Sequence, residues 1–278
     1  MTTNDDKAGR EYWESAWSGR SLPPRFDPDA PTLTACVDRT VDRFLRDATD
    51  GLDPRATAVV EVGCGASTIL PFLAVRHGFR VAGLDYSPEG AAQSRALLAR
   101  DGVAGEVHVA DPFALPEALV GAFDVAWSNG LVEHFADTAG CVRAIAKLVR
   151  PGGRVVTMIP NMAGAVGRAQ RYLDRAVYDA HVPLDREALA AAHEGAGLQV
   201  RRCDYLHSVN FGVVNAARAR GVVRRAVQRA LVDASRAVWR YESLAGELPA
   251  GRRFAPYVGC VAVAPPSDAE PGGEVPVR

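Results

Sequence analysis

Five short apolar runs alternate with amphipathic segments over residues 57–160, and this alternation constrains the fold more than any other feature of the chain. The runs are predicted strands, namely TAVVEV (57–62), FRVAGLD (79–85), AGEVHVAD (104–111), FDVAWSNG (123–130) and RVVTMIP (154–160). Strands that alternate with helices across short connections form a parallel sheet with helices on both faces. The sequence therefore predicts a doubly wound α/β fold, in which ligands bind beyond the carboxyl ends of the strands.

A loop with two glycines follows the first predicted strand. Gly63 and Gly65 allow a tight turn and bring backbone N–H groups close to a ligand at the start of the next helix. The dinucleotide-binding fingerprint needs a third glycine, and this chain has Thr68 at that position. Glu61 would attract an ammonium group and repel a pyrophosphate. The loop favours a nucleoside that carries an amino group, and an NAD(P)-dependent oxidoreductase is the alternative.

Carboxylates end the next two predicted strands. Asp85 ends the second strand, where it can accept hydrogen bonds from both hydroxyls of a ribose. Asp111 ends the third strand, where it can accept a hydrogen bond from the amino group of an adenine. Each acid alone could be a solvated loop residue or a helix cap, but three acids at successive strand ends are consistent with one adenosine site.

Five motifs occur in the order and spacing of a known family: VVEVGCGAS, GLDYS, VADPF, FDVAWSNGLVEHF and LVRPGGRVVTMIP. Together they resemble class I S-adenosylmethionine-dependent methyltransferases, in particular those that act on small molecules. The resemblance is close over residues 57–160 and looser over 185–206. It implies a mostly parallel seven-stranded sheet with an antiparallel last strand, S-adenosylmethionine as cofactor, and in-line methyl transfer to an oxygen, nitrogen or carbon atom of a small molecule such as a secondary metabolite.

The resemblance also implies which residues contact the cofactor. They are Glu61, Gly63 and Gly65 for the methionine and sugar end, Asp85 for the ribose, Asp111, Pro112 and Phe113 for the adenine, and Ser128 and Asn129 for the methionine. The segment EYWESAWSG is similar to aromatic segments that fold over the cofactor in this family, so Tyr12 and Trp17 are expected at the site. The alternative is that these rings pack against the first helix.

Three side chains are candidates for a catalytic role. Methyl transfer from a sulfonium depends mainly on a near-attack geometry, and a general base helps only when the acceptor must lose a proton. His134 lies just past the fourth strand, and His181 and Tyr178 lie in the insertion that follows the fifth. A histidine has the appropriate pKa range for such a base. Each of the three could instead be a structural hydrogen-bonding residue.

The rest of the chain divides around this core. The predicted segments are an N-terminal lid and helix (1–50), the cofactor-binding core (51–160), a poorly patterned substrate-lid insertion (161–184), a core helix and strand (185–206), a basic helical insertion (207–250), the last strand (251–264) and a Pro/Gly/acid-rich tail expected to be disordered (265–278). The arginines of the basic insertion either coat a solvated helix face or line an entrance for a carboxylate or phosphate substrate.

Composition argues against several classes of protein. A formal net charge of −1 disfavours a nucleic-acid partner, and the chain has no apolar run long enough to span a membrane and no secretory signal, so a cytoplasmic location is expected. The five cysteines lack C-x-x-C spacing and predict neither disulfides nor a metal site. The sequence gives no indication of oligomeric state, and a non-catalytic cofactor-binding protein is a further alternative.

Overall fold

The computed structural model describes residues 6–17, 19, 21–215 and 221–266. They contain a seven-stranded sheet in the order β3-β2-β1-β4-β5-β7-β6. The strands are β1 (Ala58–Val62), β2 (Arg80–Asp85), β3 (Gly105–Val109), β4 (Phe123–Asn129), β5 (Val149–Pro160), β6 (Gln199–Leu206) and β7 (Tyr257–Val263). Strands β1 to β5 are parallel, and β7 runs antiparallel between β5 and β6. The predicted doubly wound sheet with an antiparallel last strand is confirmed.

Helices cover both faces of the sheet. They are α1 (Arg10–Trp17), α2 (Ala35–Thr49), α3 (Ile69–His77), α4 (Pro88–Arg100), α5 (Thr138–Ala146), α6 (Ala165–Leu173), α7 (Arg175–Asp179), α8 (Arg186–Gly195) and α9 (Val222–Ala245). Helices α2 to α4 bury Phe44, Leu70 and Leu98 against one face. Helices α5 and α8 bury Ile145 and Leu189 against the other. The two apolar layers hold the carboxyl ends of β1, β2 and β4 at a common edge.

Local signals in the sequence set the ends of the helices nearest that edge. The Ser87 hydroxyl accepts a hydrogen bond from the Gly90 N–H at 3.2 Å, and Pro88 is the first residue of α4, as predicted. Gly78 ends α3 in the left-handed conformation with φ of 78°. The Ser87 cap fixes the point at which the chain leaves β2 and enters α4, and Gly78 fixes the turn from α3 into β2 at the opposite edge of the sheet.

The insertion at 161–184 is more regular than its sequence indicates. It contains α6 and α7, and α6 packs Val166 and Leu173 into a small apolar cluster with the 211–214 turn and α9. Gln170 lies between them on the same face and is fully buried, with its amide donating to the Asn215 carbonyl at 2.9 Å. A polar residue in the buried stripe interrupts the apolar pattern of the helix, which is why the segment is poorly patterned in sequence.

The basic insertion forms the predicted helix, α9, and only a narrow face of this helix is packed. Val227 and Leu231 contact the apolar cluster, whereas Val222 and Val223 are 76% and 68% exposed. Its arginines are exposed to solvent: Arg224, Arg225, Arg229, Arg236 and Arg240. Arg218, Arg220 and the tail from residue 267 lie outside the described residues. Among the described helices, none combines the length and apolar character needed to cross a membrane.

Candidate functional site

A cleft of about 400 Å³ lies at the carboxyl edge of the parallel strands. The loop after β1, the ends of β2, β4 and β5, and helices α1 and α2 form its walls. Among the residues that line it are Glu61, Asp85, Asn129, Met158 and Tyr257. The cleft therefore occupies the position at which doubly wound sheets bind ligands.

The glycine loop needs glycine for both its conformation and its contacts. Gly63 and Gly65 have φ of 71° and 35°, in the left-handed region. The N–H of Gly63 donates to the Leu84 carbonyl at 2.7 Å and ties the loop to β2. A Cβ atom on Gly65 would lie 2.6 Å from Cζ2 of Trp17. The loop thus presents bare backbone to the cleft, directly beneath an aromatic ring.

Glu61 is a buried carboxyl group at the floor of this cleft. Its Oε1 accepts a hydrogen bond from the Trp127 indole at 3.2 Å. Oε2 accepts no hydrogen bond of normal geometry from the described residues. Burial raises the pKa of Glu61 to about 8, and the nearby Ser67 side chain offsets part of that rise. A carboxyl group with one free oxygen facing a cleft can receive a cationic donor such as an ammonium group.

Asp85 is held by the backbone around it. Its oxygens accept hydrogen bonds from the N–H groups of Gly65 and Ser87, both at 2.8 Å. Burial raises the pKa of Asp85, and these two hydrogen bonds lower it in part. A carboxylate oxygen can accept two hydrogen bonds, so each oxygen keeps capacity for a ligand hydroxyl. The geometry is compatible with the ribose contact that the sequence predicts.

The predicted adenine-binding residues lie beside the cleft and do not line it. Asp111 Oδ1 accepts a hydrogen bond from the Phe113 N–H at 2.9 Å, which fixes the turn after β3. Pro112 is buried, and the Phe113 ring packs against Phe135 with centroids 5.3 Å apart. The role of these residues in binding adenine stays a prediction.

The two residues that end β4 point in different directions. Asn129 lines the cleft, as predicted. Ser128 is fully buried on the other face, where its hydroxyl lies 3.4 Å from that of Thr157. Consecutive side chains of a strand point to opposite faces, which is why the Ser128 side chain does not share the position of Asn129. The contact of Ser128 with the methionine stays a prediction.

The aromatic N-terminal segment packs over the cleft. Trp13 and Trp17 stack with centroids 6.2 Å apart, and both line the cleft. Tyr12 packs edge-on against Trp13 at 5.0 Å and is outside the lining. The Tyr86 hydroxyl donates to Asp6 at 3.0 Å and so holds the segment against the core. Trp17 is therefore better placed than Tyr12 to contact a ligand.

The structure brings two of the predicted catalytic residues together, but outside the cleft lining. The rings of His134 and His181 lie 4.4 Å apart between centroids, and Trp13 packs edge-on against His134 at 5.0 Å. Burial, followed by the nearby His181, lowers the pKa of His134 to about 4. Tyr178 packs instead with the apolar cluster of α6 and α9. A catalytic role for any of the three stays a prediction.

Some cleft residues were missed by the sequence analysis. Tyr257 begins β7 and lies opposite Pro160, and its hydroxyl accepts from the Asn210 amide at 3.3 Å. Burial raises the pKa of Tyr257 to about 12. Because β7 is antiparallel, its first residue lies at the edge where the parallel strands end. The antiparallel last strand predicted from the sequence therefore already implied that its first residue lies at this edge.

Comparison with known proteins agrees with this geometry. A family described as "Methyltransferase domain" matches residues 60–157. The chain is 39% identical over 97 residues to the ubiquinone biosynthesis O-methyltransferase of Sodalis glossinidius (strain morsitans), covering 35% of this chain and 39% of that protein. It is 27% identical over 159 residues to the probable chloroplastic tocopherol O-methyltransferase of Oryza sativa subsp. japonica, covering 55% of this chain and 43% of that protein.

A solved structure has the same fold over almost the whole chain. The geranyl diphosphate C-methyltransferase of Streptomyces coelicolor A3(2) has a TM-score of 0.58 and 16% sequence identity, covering 91% of this chain and 97% of that one. At this identity the likeness concerns the fold alone.

The match and the geometry identify the core. The chain is similar to methyltransferase domains over residues 60–157, and its seven-stranded sheet has the Rossmann-like methyltransferase fold, with Gly63, Glu61 and Asp85 of the matched region lining the cleft. The matches to the two curated relatives span less than half the length of either protein.

Proposed function

We propose that the chain transfers a methyl group from S-adenosylmethionine to a small molecule. The observation that carries the proposal is the buried Glu61 carboxyl in the wall of the cleft, whose Oε2 accepts no hydrogen bond of normal geometry from the described residues. S-adenosylmethionine offers the ammonium group that this oxygen lacks. When bound, it supplies a methyl group activated by a sulfonium.

The residues of the cleft fit each part of such a cofactor. Glu61 would bind the amino group, Asp85 would accept from the ribose hydroxyls, and the bare backbone of the glycine loop would permit a close approach. The ring of Trp17 already lies on Gly65 and would cover the bound nucleoside and exclude water. These contacts hold the donor so that an acceptor can approach its methyl group in line.

The remaining wall of the cleft suits an apolar or aromatic acceptor. Phe26, Leu131, Met158 and Tyr257 contribute apolar surface there. None of the described arginines of α9 lines this cleft, so their exposed positions support a solvated helix face rather than an entrance for an anionic substrate. The names of the curated relatives make an acceptor oxygen the first to test.

The geometry supports a mechanism based on position rather than on a general base. Neither His134 nor His181 lines the cleft, Trp13 packs against His134, and the Tyr257 hydroxyl has a raised pKa. Acceptors that are already ionised or intrinsically nucleophilic therefore fit the site best. The cleft residues orient the acceptor and exclude water, which is the main requirement for displacement at a sulfonium.

Calorimetry separates this proposal from an oxidoreductase. S-adenosylhomocysteine should bind with micromolar affinity and NAD(H) should not, whereas the reverse pattern would overturn the proposal. A panel of phenols, amines and carbon nucleophiles with methyl-labelled cofactor then separates an enzyme from a non-catalytic binding protein. Cofactor binding without turnover of any acceptor, or of the bound cofactor, would favour the binding protein.

A further inference from the structure

Three side chains with metal-ligating atoms meet beneath the N-terminal segment, away from the cofactor cleft. Glu133 and His134 belong to the short turn after β4, and His181 follows α7. One nitrogen or oxygen atom from each lies within 4.8 Å of the other two. Glu133 is 1% exposed and His134 is 5% exposed. We call these three residues the 133–134–181 cluster.

Both imidazoles are oriented by backbone carbonyls. Nδ1 of His134 lies 2.9 Å from the Ala180 carbonyl oxygen, and Nδ1 of His181 lies 2.6 Å from that of Val177. A carbonyl only accepts hydrogen bonds, so Nδ1 carries the proton in each ring and Nε2 keeps its lone pair. This is the arrangement by which proteins orient histidines that ligate a metal through Nε2.

The carboxyl group of Glu133 has no partner of its own. Both of its oxygens are buried and accept no hydrogen bond from the described part of the chain. An unpartnered buried carboxylate is costly, and its neighbours in the cluster are lone pairs rather than donors. When Glu133 is ionised, three acceptors face one another with no donor between them, and a shared cation would satisfy all three.

We propose that Glu133, His134 and His181 bind one divalent transition-metal ion of the Zn²⁺ type. Imidazole nitrogen favours Zn²⁺ and similar ions over Mg²⁺ and Ca²⁺, which prefer oxygen ligands. Two histidines and one glutamate are a known zinc donor set, with a fourth position open to water. Zn–N and Zn–O distances of about 2.1 Å place tetrahedral ligands about 3.4 Å apart, so ligand atoms that lie within 4.8 Å of one another must approach by up to about 1.4 Å.

A metal ion bound at the cluster would connect two parts of the structure. His181 belongs to the 161–184 insertion, whereas His134 belongs to the core. Lys7 contacts both: its N–H donates to the His134 carbonyl at 2.9 Å, and its Nζ donates to the His181 carbonyl at 2.8 Å. A bound ion would therefore cross-link the insertion to the core under the segment that carries Trp13 and Trp17.

Metal binding to the full-length protein tests the proposal. Protein stripped with a chelator is titrated with Zn²⁺ in competition with a chromophoric chelator, and bound metal is counted by mass spectrometry. We expect one Zn²⁺ per chain, insensitivity to excess Mg²⁺, and affinity lowered about 100-fold or more in Glu133→Gln and in His181→Gln. Failure of the wild type to take up one equivalent would overturn the proposal, as would equal affinity in the folded Glu133→Gln variant.

His193 provides a matched control. It is also buried, and its Nδ1 also lies 2.9 Å from the carbonyl four residues earlier, that of Leu189. Its Nε2 is already paired with the Thr157 hydroxyl at 3.1 Å. His193→Gln should therefore bind Zn²⁺ as the wild type does. A loss equal to that in His181→Gln would show that the uptake does not depend on the cluster.

X-ray absorption on the Zn²⁺-loaded wild type requires no variant to fold. The cluster predicts two imidazole ligands with oxygen in the remaining positions and no sulfur. Cys36 lies 3.9 Å from His207 Nε2 and offers a competing thiol site. A sulfur shell around the ion would overturn the assignment to the 133–134–181 cluster, whereas a nitrogen and oxygen shell supports it.

Discussion

Glu61 lies near the end of β1 and Glu133 follows the neighbouring parallel strand β4, and their equally buried carboxyl groups have different surroundings. Each is 1% exposed, and burial raises the pKa of each to about 8. Glu61 lines the cleft and has one oxygen paired with the Trp127 indole, while the other accepts no hydrogen bond of normal geometry from the described residues. Glu133 has neither oxygen paired within the described chain and lies beside two imidazoles. The environment of Glu61 suits a ligand that binds reversibly, and the environment of Glu133 suits a tightly bound ion.

The largest expected effect is the loss of cofactor affinity when the Glu61 carboxyl group is replaced. Glu61→Gln removes the charge that would bind the cofactor ammonium group, and S-adenosylhomocysteine affinity should fall by about 3 kcal/mol, more than 100-fold. Glu133→Gln is the matched control, because it makes the same chemical change outside the cleft, and it should change this affinity less than about threefold. Calorimetry on both variants checks the comparison. Equal losses in the two variants would mean that the carboxyl groups do not have separate roles.

The second prediction concerns the ribose contact. Asp85→Asn keeps the shape of the side chain and should weaken S-adenosylhomocysteine binding by about 2 kcal/mol, the usual range for hydrogen bonds to a charged group. Binding of the 2′-deoxy analogue supplies the control, since the wild type should discriminate against it and the variant should not. Undiminished discrimination in Asp85→Asn would place the ribose elsewhere.

The third prediction uses the pH dependence of folding. The folded pKa of Glu61, about 8, lies above its unfolded value, so the folded state holds the extra proton between about pH 4.5 and pH 8. The stability contributed by this group is complete below about pH 4.5 and is lost as the pH rises through 8. Between pH 6 and pH 8, the wild type should lose about 2 kcal/mol more than Glu61→Gln. Urea unfolding without ligand measures this difference, and parallel curves would contradict it.

The smallest expected effect is on the aromatic cover of the cleft. Trp17→Ala removes the ring that lies on Gly65, and S-adenosylmethionine affinity should fall by about 1 kcal/mol. Trp17→Phe should recover most of the loss because a flat ring remains. Tyr12→Ala serves as control, since Tyr12 lies outside the lining. A larger loss in Tyr12→Ala than in Trp17→Ala would reverse the assignment of the lid residues.

The sheet and the glycine-loop side of the cleft were predictable because their signals are local. Apolar strands, the glycine pair and the Ser87 cap lie within a few residues of the structures that they specify. The 133–134–181 cluster was not predictable, because His181 is distant in sequence from His134 and approaches it only through the packing of α7. Gln170 shows a second limit, since a buried amide interrupted the apolar stripe of α6. Ser128 shows a third, because a motif position does not state which face of the strand a side chain takes.

The position of β7 has a consequence for how the chain is made. Among the strands of the described residues it is the last to be synthesised, yet it lies between β5 and β6, and pairs with both over its full length. Until residue 263 has left the ribosome, the facing edges of β5 and β6 lack the partner that they have in the folded sheet, and exposed strand edges favour association with other chains. The nascent sheet therefore keeps a gap between β5 and β6 until β7 is available, and the same strand brings Tyr257 to the wall of the cleft.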